Sequence, residues 1–190
     1  MRSRLRFPLA LAALALASQT LSCGDPLSLN PPSFANRVDT VTVYAVTGTP
    51  IARASGYSIA LRSAVRLDLV PAFDFAYHID GSGKRSFLPY DLITGGTRTS
   101  GNPGLQSTET PFADIDVAQQ LGYTVRDTVE VLPGGVYYVR SEVGSCNLGT
   151  PYYGKLEVLA VDDSARAVRF QILTNINCGY RGLTVGLPTR

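Results

Sequence analysis

From residue 38 onward, apolar and polar residues alternate with a period of two. Val41, Val43 and Ala45 alternate with Thr40, Thr42 and Tyr44, and Tyr57, Ile59 and Leu61 share parity with Val65, Leu67 and Leu69. Phe73, Phe75, Tyr77 and Ile79 alternate with Asp74, Ala76, His78 and Asp80, while Tyr123, Val125, Val129 and Val131 oppose Thr124, Arg126, Thr128 and Glu130. Successive side chains of a strand point to opposite faces, so this pattern predicts strands with one buried and one wet face. The expected fold is mainly β: a single antiparallel β-sandwich or sheet domain with one short helix.

Turn residues punctuate the pattern at Asp80-Gly81-Ser82-Gly83, Pro133-Gly134-Gly135 and Asp162-Asp163-Ser164. Residues 152–161 and 166–175 flank the last of these and read as a long hairpin, with facing residues at index sums near 327. The helix is expected over 111–121, with Thr110 as cap, Pro111 in the first turn and Gly122 as stop. Residues 94–110 (TGGTRTSGNPGLQSTET) read as a long polar loop, which makes Arg98 a candidate binding residue.

The N-terminus carries a different signal. Arg2, Arg4 and Arg6 precede an uncharged run from Phe7 to Ala17, the arrangement of a secretory signal and too short to span a bilayer. Ala13-Leu14-Ala15 and Ala15-Leu16-Ala17 offer ordinary cleavage sites. Thr20-Leu21-Ser22-Cys23 resembles a bacterial lipobox, with its leucine two rather than three positions before the cysteine. The reading adopted is a signal peptide over 1–22, a lipidated tether over 23–36 and a β domain over 37–190. Acylation of Cys23 would anchor the protein to a membrane: each buried methylene contributes about 0.8 kcal/mol. By resemblance to bacterial lipoproteins, Gly24 lacks the aspartate of inner-membrane retention, so an outer-membrane address is expected, facing the periplasm or the surface.

Cysteine parity agrees. Of the chain's three cysteines, acylation uses Cys23 and leaves Cys146 and Cys178, which the predicted hairpin brings to one end. A disulfide between them is expected in an oxidising compartment, the alternative being two inert buried thiols.

The 190-residue chain has seventeen Lys plus Arg against fifteen Asp plus Glu. Without residues 1–22 it retains 168 residues, with fourteen basic against fifteen acidic side chains, a net −1. No basic face is implied and nucleic acid is not an expected partner.

The catalytic inventory is sparse. His78 is the single histidine, so a Ser-His-Asp site would need it as base, and no G-x-S-x-G segment supplies the nucleophile. Asp74 and His78 lie four residues apart on one strand face, too far to share a metal. His78 is a candidate ligand residue beside Asp80, but Asp80 opens a glycine turn that it is expected to cap. Gly81-Ser82-Gly83-Lys84 lacks the first glycine and the final Ser/Thr of a phosphate loop. Carboxylates are scattered, none in a setting that suggests a raised pKa. Glu142 and Glu157 are expected to pair with Arg140 or Lys155.

FDFAYHID, GGTRTS, GYTVRDT, VYYVRS and YYGKLEVLAV follow one another over residues 73–161. Their order resembles that of HmuY-type haem-binding lipoproteins, which implies an almost all-β, lipid-anchored envelope protein. The strongest words are Tyr138-Val139-Arg140 and Tyr153-Gly154-Lys155-Leu156, which makes Tyr138 and Tyr153 candidate binding residues. The family holds haem between paired histidines or methionines. This chain has one histidine, and its one methionine is Met1, so the haem site does not carry over and no cofactor is expected. The expected function is a non-catalytic binding or interaction module of the bacterial envelope, taking a small molecule or an envelope protein. The alternatives are a carboxylate-based glycan-active enzyme and a purely structural lipoprotein.

Overall fold

The structure, a computed structural model, describes residues 29–96, 102–143 and 149–189. Its compact body is Pro31–Arg190. The fold is mainly β, with two antiparallel five-stranded sheets among the described residues. Sheet I runs β1-β10-β9-β8-β6 and sheet II runs β3-β2-β4-β5-β7. The strands are β1 (Arg37–Tyr44), β2 (Gly56–Ser58), β3 (Ser63–Val65), β4 (Phe75–Ile79), β5 (Arg85–Pro89), β6 (Gly104–Thr108), β7 (Val129–Glu130), β8 (Val136–Arg140), β9 (Tyr153–Asp162) and β10 (Ala167–Asn175). No described helix is long and apolar enough to cross a membrane.

The inward-facing positions of both sheets meet in one core. Phe170 of β10 lies 5.9 Å from the Tyr57 ring and 6.1 Å from each of Phe75 and Phe87, all on sheet II. Phe87 in turn contacts Tyr137 of sheet I, edge to face at 5.7 Å. Offset and edge-on arrangements suit the ring quadrupoles and add to the area that the rings bury.

The hairpins follow the turn chemistry. Asp80 Oδ1 accepts hydrogen bonds from Ser82 N (2.8 Å), Ser82 Oγ (2.7 Å) and Lys84 N (2.9 Å), which closes β4 onto β5. Asp162 Oδ1 accepts from Ser164 Oγ (2.6 Å) and Ala165 N (2.9 Å) between β9 and β10. The β9–β10 hairpin forms as predicted. Facing residues sit at index sums of 329, dropping to 328 past a bulge at Arg169/Phe170. Arg85 forks onto Asp163, and Arg166 donates to the carbonyls of Thr47 and Ile79 at 3.0 Å each, so the turn ends of the two sheets are tied together.

Four local expectations are corrected. Residues 57–69 are not one strand: Arg62 N bonds Ile59 O, Arg62 takes φ +52°, and the chain doubles back as β2–β3. Of 123–131 only Val129–Glu130 joins a sheet, while Thr124 makes an isolated bridge to Leu105. The second half of the 94–110 segment is no loop but β6, paired with β8. The helix is elsewhere as well. A short α1 spans Tyr90–Thr94, after Pro89, and ends at Gly95 in the left-handed region. Within 111–121 there is one 3-10 turn, Phe112–Asp114. A helix there would need the carbonyls of Phe112 and Ile115 for its own N–H groups. Both instead accept hydrogen bonds from Lys155 Nζ, at 2.8 Å each. The following residues extend, and Val117 bridges Gly182.

Three asparagines join the two ends of the body. Asn177 Oδ1 accepts from Ser33 N (2.8 Å) and Phe34 N (2.9 Å), and its Nδ2 donates to Phe34 O (2.7 Å). Asn36 Nδ2 donates to Gly182 O and Thr184 O, and Asn175 Nδ2 also donates to Gly182 O. Residues 33–36, at the end of the expected tether, are thus held against the C-terminal segment.

Lys155 is 5% exposed, and its ammonium ties the 111–121 strap to sheet I. In Lys155→Met, the buried Ile115 carbonyl and the half-buried Phe112 carbonyl would lose their donor. Urea denaturation should show a loss of about 1–3 kcal/mol relative to the parent.

Candidate binding face

On β8, Tyr137 and Val139 point into the core, so Val136, Tyr138 and Arg140 point outward. On β9 the outward partners directly opposite them are Glu157, Lys155 and Tyr153. Six side chains therefore form three pairs along the outer face of sheet I: Val136–Glu157, Tyr138–Lys155 and Arg140–Tyr153. The strap and the C-terminal segment cover the middle of the face, where Tyr138, Tyr153, Leu173, Ile115, Ala118 and Leu183 make a second apolar cluster. Lys155 lies 4.6 Å from the Phe112 ring centroid, and burial lowers its pKa.

One end of this face opens into a cleft of about 560 Å³ where the chain passes from β7 to β8. Glu109, Glu130 and Glu157 line it together with Phe112, Leu132 and Tyr137. The Tyr137 hydroxyl donates to Glu130 O (2.7 Å) and accepts from Leu132 N (3.3 Å), and so fixes the wall of the cleft. Gly135 is required there: a Cβ would come within 2.5 Å of that hydroxyl oxygen and 3.0 Å of Leu132 O. Glu157 does not pair with Lys155 as expected. It accepts from Gln171 Nε2 of the neighbouring strand.

At the opposite end Arg140 is half-buried. Its Nε donates to Asn102 O (3.1 Å), and its guanidinium carbon lies 4.6 Å from the centroid of the Tyr123 ring. Burial lowers its pKa, partly offset by the Tyr123 and Tyr153 phenols. Burial raises the pKa of both phenols, and Arg140 and Arg181 oppose that rise.

Among the sequence-derived candidates, Tyr138 and Tyr153 share this face and are both buried. His78 lies on sheet II, partly exposed, its Nδ1 3.5 Å from Thr47 Oγ1. Asp80 beside it caps the turn. Cys23, Arg98 and Cys146 lie outside the described residues, and Cys178 is half-buried just beyond β10. Among the described residues no three His, Cys, Asp or Glu side chains are placed to hold a metal ion.

The sequence reading missed one carboxyl. Asp74, assigned there to the wet face, is 6% exposed. Ala76, on the same face, packs with Val65 and Phe73, against which Leu67, Val70 and Tyr90 close. Asp74 Oδ2 accepts from Ile59 N at 2.6 Å. Desolvation nevertheless pushes its pKa up to about 7, against that hydrogen bond. Asp74 does not line the cleft.

The chain matches no protein family and no curated protein.

A carboxyl with a higher pKa in the folded state than in the unfolded chain binds more protons when folded, so its contribution to stability declines as pH rises from about 4 to about 7. Asp74→Asn abolishes that contribution. Paired urea denaturations across this range should show the variant gaining on the parent with rising pH, by at most about 1.4 kcal/mol per pH unit.

Proposed function

We propose that this protein is a lipid-anchored, extracytoplasmic binding module of the bacterial envelope, non-catalytic, receiving its ligand in the cleft at the start of β8. The observation that carries this reading is the cleft itself. It is large enough for a small molecule or a partner's side chains, and it brings polar and apolar side chains together in one lining. Three glutamates beside Phe112 and Leu132 favour a ligand with a cationic head and an apolar body. The likeness to HmuY-type lipoproteins contributes the envelope address and not the ligand. Haem forms no part of the reading, since His78 stands on the other sheet from Tyr138 and Tyr153.

Anchoring through Cys23 and a Cys146–Cys178 disulfide belong to the same proposal. The C-terminal end of β8, the N-terminal end of β9 and the C-terminal end of β10 are hydrogen-bonded neighbours, through Arg140–Tyr153 and Tyr153–Asn175. The chain segments bearing the two cysteines leave from that common end.

One observation favours a second reading, a carboxylate-based glycan-active enzyme: Glu109, Glu130 and Glu157 line a single cleft. Glycoside hydrolysis asks for an acid of raised pKa at the scissile bond. The binding reading is preferred because the same glutamates stand beside the apolar walls of Phe112 and Leu132, a lining suited to holding a ligand.

Two experiments test the proposal. Titrating 2-phenylethylamine into 15N-labelled protein should shift amide resonances of 107–110, 112, 130–132 and 134–137, and the Glu130→Gln/Glu157→Gln variant should weaken binding at least several-fold. Shifts with cellohexaose, accompanied by its cleavage, would replace the binding reading with the enzymatic one. Mass spectrometry of the protein from membranes should find an acylated N-terminal Cys23, and thiol titration in denaturant without reductant should find no free thiol. An unmodified N-terminus from soluble extracts, with free thiols, would overturn anchoring and disulfide alike.

A further inference from the structure

We propose that the end of the outer face opposite the cleft is an oxyanion site, in which Arg140, Tyr153 and Arg181 bind a carboxylate or phosphate group. This goes beyond the cleft reading and does not depend on it.

Arg140 makes one hydrogen bond among the described residues, from Nε to the Asn102 carbonyl at 3.1 Å, which leaves both terminal nitrogens unused. The described ion pairs are Arg37–Asp39, Arg66–Asp68 and Arg85–Asp163, so neither Arg140 nor Arg181 has a carboxylate among the described residues. The groups that act on Arg140 are the phenols of Tyr123 and Tyr153. A guanidinium taken partly out of water without a counter-charge is costly, and folded proteins normally supply one. Arg181 is a second cation in electrostatic reach of this end, since the phenols of Tyr123 and Tyr153 both feel Arg140 and Arg181.

The donors are well placed. Arg140 and Tyr153 are direct cross-strand partners, with β-carbons about 5 Å apart. Tyr153 is 7% exposed, and its hydroxyl has no hydrogen-bond partner among the described residues. The Tyr123 hydroxyl is used, donating to Gln119 O at 3.0 Å, and its ring supports the Arg140 plane at 4.6 Å. With its Nε held by Asn102 O and its face held by the ring, Arg140 directs its remaining nitrogens as a preformed fork, the geometry that suits a bidentate oxyanion. Arg181 comes from the C-terminal segment, whose backbone is fixed by Ala118 N to Arg181 O at 2.9 Å and Leu183 N to Asp116 O at 2.7 Å.

The test uses inorganic phosphate and succinate as probes, each titrated against sodium chloride of matched ionic strength, on the full mature domain. Saturable shifts of the Arg140 and Arg181 side-chain Nε–H resonances are expected, with a rise in Tm that chloride does not reproduce. Response to one probe alone assigns the site to that oxyanion. Arg181→Gln, on the surface segment, should weaken binding about tenfold, and Tyr153→Phe several-fold, with the fold unchanged by circular dichroism. Arg140→Gln should abolish binding. If it fails to fold, Arg181→Gln and Tyr153→Phe carry the comparison. No probe response beyond chloride in the parent, or parent-like binding in both Arg181→Gln and Tyr153→Phe, would overturn the proposal.

Discussion

The contact of Phe170 with Tyr57, Phe75 and Phe87 is the constraint on which the rest of the molecule depends. It locks a ring from the second strand of sheet I against three rings from three adjacent strands of sheet II. Interiors packed to this degree leave little free volume. With the inner faces filled by aromatic and branched side chains, the outer faces and the ends of the sandwich are the surfaces left open to solvent. The cleft and Arg140 both occur there, at opposite ends of the outer surface of β8 and β9.

The outer surface is organised by one buried cation. Lys155 sits midway along the face and bonds two carbonyls of the crossing strap. That contact divides the surface in two: glutamates and apolar walls lie toward the start of β8, guanidinium and phenol groups toward its end. The two ends, four residues apart on one strand, are separated by about 13 Å. Alternation supplies the face that the strap divides, since every second residue of a strand faces the same way, and Val136, Tyr138 and Arg140 are such a set.

The sheets were legible in the sequence because burial follows the period-two pattern. Phe75, Tyr77 and Ile79 are buried as the alternation requires, and the β9–β10 hairpin forms around its Asp-rich turn. Outer faces were harder to read. Asp74 and Ala76 have the parity of wet positions, but the 66–73 segment and Tyr90 cover that side of sheet II, and no local pattern announces a covering layer. The misplaced helix has a similar origin. Thr110, Pro111 and Gly122 are sound helix punctuation, and the competing interaction comes from Lys155, forty residues away in sequence. Tyr138 and Tyr153, singled out in the sequence by their strand words, fall on one outer face of sheet I. Arg140 stood in the same words, yet its contact with the Tyr123 ring is made only in the folded chain.

The asparagine junction between residues 33–36 and the C-terminal segment determines how the sandwich would carry tension. Force entering from the N-terminal side first meets the three hydrogen bonds from the Asn177 side chain to Ser33 and Phe34, then the Asn36–Gly186 bridge, and only afterwards β1. Asn177 follows directly on β10, the strand that β1 pairs with. A pull is therefore delivered to both members of that pair at one point, and sheet I is strained as a block instead of being peeled open from its edge.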